Sequence, residues 1–148
     1  MAETTHRLEA NKAIVERWHE ALVTGDGDDL EEVLDDDVVI HRPDLPEPLS
    51  GRDAAAEMVE AGAQSTPDQR TSIDTIVAED DNIAVHFTWQ GTYQGPETAD
   101  ERKAFECTGT EFVRIEDGRI VESRFLWDNL SFMQQLGVIA EEDVAGEL

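Results

Sequence analysis

Hydrophobic positions in the first third of the chain recur at intervals of three and four residues. In residues 5–23 they form a single stripe, which predicts an amphipathic helix ended by two glycines. Residues 28–34 predict a short second helix, and residues 51–64 predict an Ala-rich third helix. A run of β-branched residues at 37–42 predicts a strand between them.

From residue 70 onward the hydrophobic period changes to two, which is typical of β-strands. The alternation predicts strands at residues 70–78, 83–93, 105–115 and 119–129. Glu116-Asp117-Gly118 is expected to form a three-residue hairpin turn with Gly in the left-handed region. That turn would place Glu111 opposite Ser123.

This order of elements predicts one α+β domain over residues 1–148, with an acidic tail from about residue 138. We expect a curved antiparallel sheet that forms a cone, with the N-terminal helices across its mouth. The inside of such a cone is a natural place for a small-molecule ligand.

The odd-numbered positions of the last two predicted strands share the apolar face that the helices should cover. Aromatic side chains on this face can form core or line a pocket. The residues predicted to bind substrate are Trp18, Phe87, Trp89, Phe125, Trp127, Cys107 and Ser123. The opposite face is polar but carries Phe112 and Leu126, and we expect a homodimer to form through it.

Glu111 breaks the apolar pattern, because it places a carboxylate in the middle of a strand on the covered face. Burying an ion without partners is costly. Three interpretations follow: a hydrogen bond to Ser123 or to a helix residue such as His19, a pocket acid or base, or a register shifted by one that leaves Glu111 exposed.

Three further residues are candidates for chemistry. Tyr93 could donate a hydrogen bond to a substrate oxygen, and His41 ends a strand where a pocket mouth could lie. His41 could equally be structural or exposed. Asp128 follows the last strand, where it could act as an acid or cap the next turn.

The charge of the chain is extreme, with 35 acidic and 11 basic residues and a formal net charge of −24. Such a field repels phosphate backbones and anionic lipids, so we expect no binding to nucleic acids or membranes. A uniformly acidic surface resembles the proteins of high-salt cytoplasms. At molar salt the Debye length falls to about 3 Å, which screens self-repulsion.

The single cysteine, Cys107, excludes an internal disulfide and a Cys-based zinc site, and its position suits a small core residue. The sequence has no phosphate-binding loop, no dinucleotide fingerprint, no nucleophile elbow and no His/carboxylate cluster at metal spacing. We therefore expect neither a metal nor a cofactor. No signal peptide or membrane span is recognisable, so we expect a cytoplasmic protein.

Several motifs resemble the SnoaL-like polyketide (ester) cyclases of the NTF2-like superfamily. They are Asn11-Lys-Ala-Ile-Val-Glu-Arg-Trp-His-Glu-Ala-Leu, Ile40-His-Arg-Pro, Gly91-Thr-Tyr-Gln-Gly, Arg114-Ile-Glu-Asp-Gly-Arg-Ile-Val-Glu and Trp127-Asp-Asn-Leu with Gln135-Leu-Gly. The resemblance covers about residues 8–137 and implies the same cone.

It also implies ring closure by intramolecular aldol chemistry without a cofactor. In that family an Asp on the last strand takes a proton next to a carbonyl, with a His on the neighbouring strand. Counting back from Gln135 puts Phe125 at the Asp position and Glu111 at the His position. Tyr93 replaces another common His, and Asp128 matches a second acid of the family's ending.

Two functions remain open. One is a cofactor-free cyclase, isomerase or hydrolase acting on a small apolar carbonyl compound, with Glu111 as base or acid and Tyr93 or His41 as hydrogen-bond donor. The other is a non-catalytic domain that binds a small molecule or serves as a dimeric scaffold.

Overall fold

The computed structural model describes residues 2–140, so most of the predicted acidic tail lies outside the described residues. The helices are α1 (Ala2–Thr24), α2 (Leu30–Val33), α3 (Arg52–Ser65) and α4 (Asn129–Gln135). The strands are β1 (Leu34–His41), β2 (Leu49–Ser50), β3 (Arg70–Glu79), β4 (Asn82–Tyr93), β5 (Lys103–Glu116) and β6 (Arg119–Trp127).

The six strands form one curved, unclosed sheet in the order β2-β1-β6-β5-β4-β3. All neighbours are antiparallel except β1 and β6, which run parallel. Helix α1 packs against β3, β4 and α3, which places it over the inner face of the sheet. The predicted α+β architecture is confirmed.

The first strand differs from its prediction. It begins at Leu34, so α2 spans only four residues and ends before the predicted helix does. Leu30, Val33 and Leu34 are all buried, because the chain passes directly from one buried turn of helix into the sheet. The parallel pairing of β1 with β6 was not predicted. It is a tertiary contact between distant segments that strand alternation does not encode.

The β5–β6 hairpin also corrects the predicted register. Asp117 and Gly118 have φ angles of 51° and 78°, which makes a two-residue turn with both central residues in the left-handed region. A bulge follows between Arg114 and Ile115, and Glu111 lies opposite Phe125 rather than Ser123. The error amounts to two positions, so Ser123, Phe125 and Trp127 keep the predicted inner face, but the bulge turns Ile120 inward and leaves Arg119, predicted on that face, exposed.

Burial along the strands confirms the predicted alternation. On β4 the buried positions are Ile83, Val85 and Phe87, and on β5 every second residue from Phe105 to Ile115 is buried. From α1, Val15 and Trp18 complete the same core. Phe105, Cys107 and Leu136 form a smaller second cluster beneath α4, which confirms Cys107 as a core residue.

One side chain of α4, that of Gln135, bonds to the backbone of the sheet. The amide of Gln135 accepts a hydrogen bond from the backbone nitrogen of Glu106 and donates one to its carbonyl, both at 2.9 Å. A side chain thus satisfies the backbone groups of β5 that a further strand would otherwise pair. At the other end of the helix, Asp128 Oδ1 accepts a hydrogen bond from the backbone nitrogen of Ser131, which confirms its capping role.

The outer face of the sheet is polar but carries large exposed apolar side chains, namely Val77, Phe112 and Leu126 among the described residues. Phe112 is 61% exposed and Leu126 is 66% exposed. They lie on the adjacent strands β5 and β6. The homodimer expected through this face stays a prediction.

Candidate functional site

A cavity of about 560 Å³ lies between α1, α3, α4 and the inner face of the sheet. This volume falls within the range of small-molecule sites. Its apolar wall consists of Leu22, Met58, Val59, Phe87, Trp89, Phe125, Trp127, Phe132, Met133 and Leu136. Its polar groups include His19, Arg42, Asp44, Gln69, Thr71, Tyr93, Glu97 and Asn129.

Glu111 lies completely buried beneath this cavity and accepts three hydrogen bonds. Its Oε2 accepts from Trp18 Nε1 at 2.8 Å and from Ser123 Oγ at 2.5 Å. Its Oε1 lies 2.6 Å from His19 Nε2. An indole N–H can only donate, so the carboxylate is the acceptor there, and the three partners offset the cost of burying it.

His19 stands between Glu111 and the cavity. It is only 5% exposed, and its ring packs edge-on against Phe87 at a centroid distance of 5.4 Å. Because Glu111 already accepts two other donors, we assign the proton to Nε2, which donates to Oε1. Nδ1 then carries a lone pair, and within residues 2–140 this buried atom has no hydrogen-bond partner.

The structure brings five of the predicted residues to the cavity wall: Phe87, Trp89, Tyr93, Phe125 and Trp127. Trp18, Ser123 and Glu111 instead form the buried hydrogen-bonded group behind His19. Of the three interpretations of Glu111, the hydrogen-bonded one is confirmed, because Glu111 is fully buried and bonded to both Ser123 and His19.

The other candidates lie away from the cavity wall. His41 lies toward the outer face, where its Nε2 is 2.9 Å from Glu122 Oε2. Cys107 is buried in the second cluster, and burial raises the pKa of its thiol to about 11. Asp128 caps α4.

Tyr93 lines the cavity, but its hydroxyl proton is already engaged. The hydroxyl donates to Glu97 Oε2, and both side chains line the cavity. Burial, together with this bond and the nearby carboxylate, raises the pKa of Tyr93 to about 12. The same bond lowers the pKa of Glu97. Tyr93 therefore remains protonated at neutral pH and donates to the protein rather than to a ligand.

Because Tyr93 is the single tyrosine of the chain, absorbance at 295 nm follows its titration directly. We expect a midpoint near pH 12 in the folded protein, against about 10 for an unperturbed phenol. The associated stability is present below about pH 10 and lost as the pH rises through 12. Glu97→Gln should move the midpoint down, although burial keeps it above 10. A midpoint near 10 in protein that circular dichroism shows to be folded would contradict this environment.

Arg42 and Asn129 are among the polar residues of the cavity that were not predicted from the sequence. Arg42 binds Asp44 through Nε and Nη2, at 3.0 and 2.7 Å, and its guanidinium lies 5.3 Å from the ring centre of Trp127. Asn129 Oδ1 accepts a hydrogen bond from Trp127 Nε1 at 3.1 Å. Asn129 Nδ2 forms no hydrogen bond within the described residues. Nothing in the sequence separates either residue from ordinary loop residues.

Within residues 2–140, no group of three or more His, Cys, Asp or Glu residues is arranged to hold a metal ion. None of the helices in this range is long and apolar enough to cross a membrane.

Comparison with known proteins identifies the family. The family model for SnoaL-like polyketide cyclase matches residues 12–136. No protein with a curated description matches the sequence.

Several solved structures share the fold. TsrD from Streptomyces laurentii is 21% identical with a TM-score of 0.77, over 88% of this chain and 97% of TsrD. A proposed SnoaL-like polyketide cyclase from Jannaschia sp. CCS1 is 16% identical with a TM-score of 0.80, over 88% and 94% of the two chains. IdmH, a proposed polyketide cyclase from Streptomyces antibioticus, is 27% identical with a TM-score of 0.71, over 86% and 99%. The resemblance of the sequence motifs is confirmed, and the chain belongs to the SnoaL-like polyketide cyclase family.

Proposed function

We propose that this protein is a cofactor-free proton-transfer enzyme in which His19 is the general base. The observation that carries the proposal is the position of His19: it lines an apolar cavity, a buried carboxylate holds its Nε2, and its buried Nδ1 has no partner within the described residues. A histidine oriented by a carboxylate is a common general base.

This assignment changes the role expected for Glu111. Glu111 is not among the residues that line the cavity, so it acts on a substrate only through His19. We therefore propose it as a positioning residue that fixes the tautomer and stabilises the imidazolium. Trp18 and Ser123 hold the carboxylate in place from the other side.

The reaction begins with a proton on the carbon next to a carbonyl. His19 Nδ1 takes this proton, the C–H electron pair forms the enolate, and the positive imidazolium lies against the Glu111 carboxylate. Where the substrate holds a second carbonyl, the enolate carbon attacks it. The imidazolium then returns the proton to the new alkoxide, so the ring closes without net gain or loss of protons.

The enolate oxygen needs a hydrogen-bond donor. Tyr93 already donates to Glu97, which leaves it poorly suited. Asn129 has a free donor, because the Trp127 indole bonds its amide oxygen and leaves the amide nitrogen unbonded within residues 2–140, and we propose that it binds a substrate oxygen at the Trp127 end of the cavity.

The substrate class follows from the wall of the cavity. Aromatic and aliphatic side chains dominate it, which suits a small apolar carbonyl compound. IdmH, a structural neighbour, is itself a proposed polyketide cyclase. A polyketide-derived ketone is consistent with both observations.

The experiment is α-proton exchange of 2-tetralone in D₂O, followed by NMR in about 1 M KCl. We expect the wild-type protein to accelerate exchange above the buffer rate and His19→Gln to remove most of that acceleration. General-base catalysis contributes about 10²- to 10⁴-fold. His86→Gln is the matched control, because His86 is half exposed and pairs with Asp74 away from the cavity.

Equal exchange by wild type and His19→Gln would remove His19 from the mechanism. Binding of 2-tetralone without any acceleration would favour the second candidate, a non-catalytic binding domain. One observation supports that candidate: Phe125, which cannot accept a proton, lies in the cavity wall at the position where the family resemblance implies an Asp.

A further inference from the structure

Arg42 is the one lysine or arginine among the described residues that line the cavity. The chain has only 11 such residues against 35 acids, so a cation at this position is conspicuous. Its side chain is 26% exposed, which places it at the rim rather than in the interior.

The guanidinium is held in a fixed orientation but only partly used. Asp44 occupies the Nε and Nη2 side, and the Trp127 ring supports one face. Within residues 2–140, Nη1 forms no hydrogen bond. A guanidinium has five N–H donors and can hold a second carboxylate through Nη1 and Nη2.

We propose that Arg42 is a specificity-determining residue that binds a carboxylate on the substrate. The rings of His19, Phe125 and Trp127 follow one another along the wall at centroid distances of 6.5 and 6.4 Å, and Arg42 lies over the last of them. A substrate lying along this row has an apolar body between the base and the guanidinium. Only the placement of the reacting carbon at His19 rests on the proposed function.

The competing ligand is a cation, since Asp44 and Glu97 also line the cavity. Each of these carboxylates already has a protein partner, Arg42 and Tyr93 respectively. Two of the large rings also have close neighbours: Arg42 lies over Trp127, while Trp89 packs against Phe105 at 4.6 Å and Phe132 at 5.1 Å. A ligand cation at Trp127 would lie beside the guanidinium of Arg42, whose like charge disfavours it.

The test compares three naphthalene probes by calorimetry: 2-naphthoate, methyl 2-naphthoate and (2-naphthyl)trimethylammonium. Measurements in about 1 M KCl screen the long-range repulsion of the acidic surface. We expect naphthoate to bind at least about fivefold more tightly than the ester, as for a partly exposed charge-assisted pair. Arg42→Gln should remove that preference without changing ester affinity. Arg42→Lys keeps the charge but loses the paired N–H donors of the guanidinium, so it should keep only part of the preference for naphthoate.

Arg124→Gln is the matched control, because Arg124 is exposed and pairs with Glu122 on the outer face. It should keep the full preference for naphthoate. Repeating the titration in His19→Gln separates this proposal from the catalytic one, since no turnover is required. Three results would each overturn the proposal. The wild type could bind naphthoate and the ester equally well, it could bind the ammonium probe most tightly, or Arg42→Gln could weaken the binding of naphthoate and the ester by the same factor.

Discussion

Replacing Glu111 by Gln is expected to slow α-proton exchange of 2-tetralone by about 10²- to 10⁴-fold while the protein stays folded. The reason is the tautomer of His19. A Gln at this position keeps one oxygen for Trp18 and Ser123 and presents its NH₂ group to His19 Nε2. Nε2 then has to accept, the proton moves to Nδ1, and the cavity loses its base.

Two measurements check this expectation. The exchange rate reports the loss of catalysis, and ¹⁵N NMR of the imidazole reports the change of tautomer. Glu122→Gln is the matched control, because Glu122 also bonds a histidine Nε2, that of His41, but on the outer face. An unchanged exchange rate in a variant whose tautomer has switched would refute the orienting role of Glu111.

Replacing Glu111 by Ala is expected to lower the free energy of unfolding by about 3–5 kcal/mol. Truncation leaves the Trp18 indole, the Ser123 hydroxyl and the His19 ring without their acceptor in a site that water does not reach. It also opens a void in the core. This loss is a large share of the 5–15 kcal/mol that stabilises a typical domain.

Urea unfolding in high salt measures the effect. Glu122→Ala provides the comparison, because its carboxylate is 30% exposed and should cost at most about 1 kcal/mol. A loss below about 1 kcal/mol for Glu111→Ala would mean that the three hydrogen bonds contribute little. The two Glu111 variants thus separate the structural role of the carboxylate from its effect on the base.

The sequence predicted most of the sheet because strand alternation reports directly which side chains are buried. The inner positions of β4 and β5 agree with the structure for that reason. The length of the turn at Asp117 and Gly118 was harder to predict, because the same sequence is compatible with a turn of two or of three residues. The pairing of β1 with β6 depends on contacts between distant segments, which periodicity does not carry.

For the site, the pattern singled out Glu111 because a carboxylate in an apolar row has to find partners. It also suggested Ser123 and His19 as those partners, and both are present. The pattern could not show whether the Glu111 carboxylate or the His19 imidazole faces the cavity. That depends on how α1 is rotated over the sheet. Arg42 lies in a loop and Asn129 at the start of α4, and both line the cavity. Neither position belongs to a repeating hydrophobic pattern that the sequence would reveal.

The way α4 is attached has a consequence for how a ligand reaches the interior. Phe132, Met133 and Leu136 close one side of the cavity. Within the described residues, α4 is held to β5 by the side chain of Gln135, by the backbone bond of its cap residue Asp128 to Thr108, and by apolar packing on Phe105. The two bonds of Gln135 contribute about 1 kcal/mol each, far less than a full strand ladder. Local opening follows the weakest cooperative unit of a fold. Opening the cavity at α4 would cost these two bonds and the apolar contacts of Phe132 and Leu136 with Phe105, but no strand pairing, so it disturbs less of the fold than parting the sheet would.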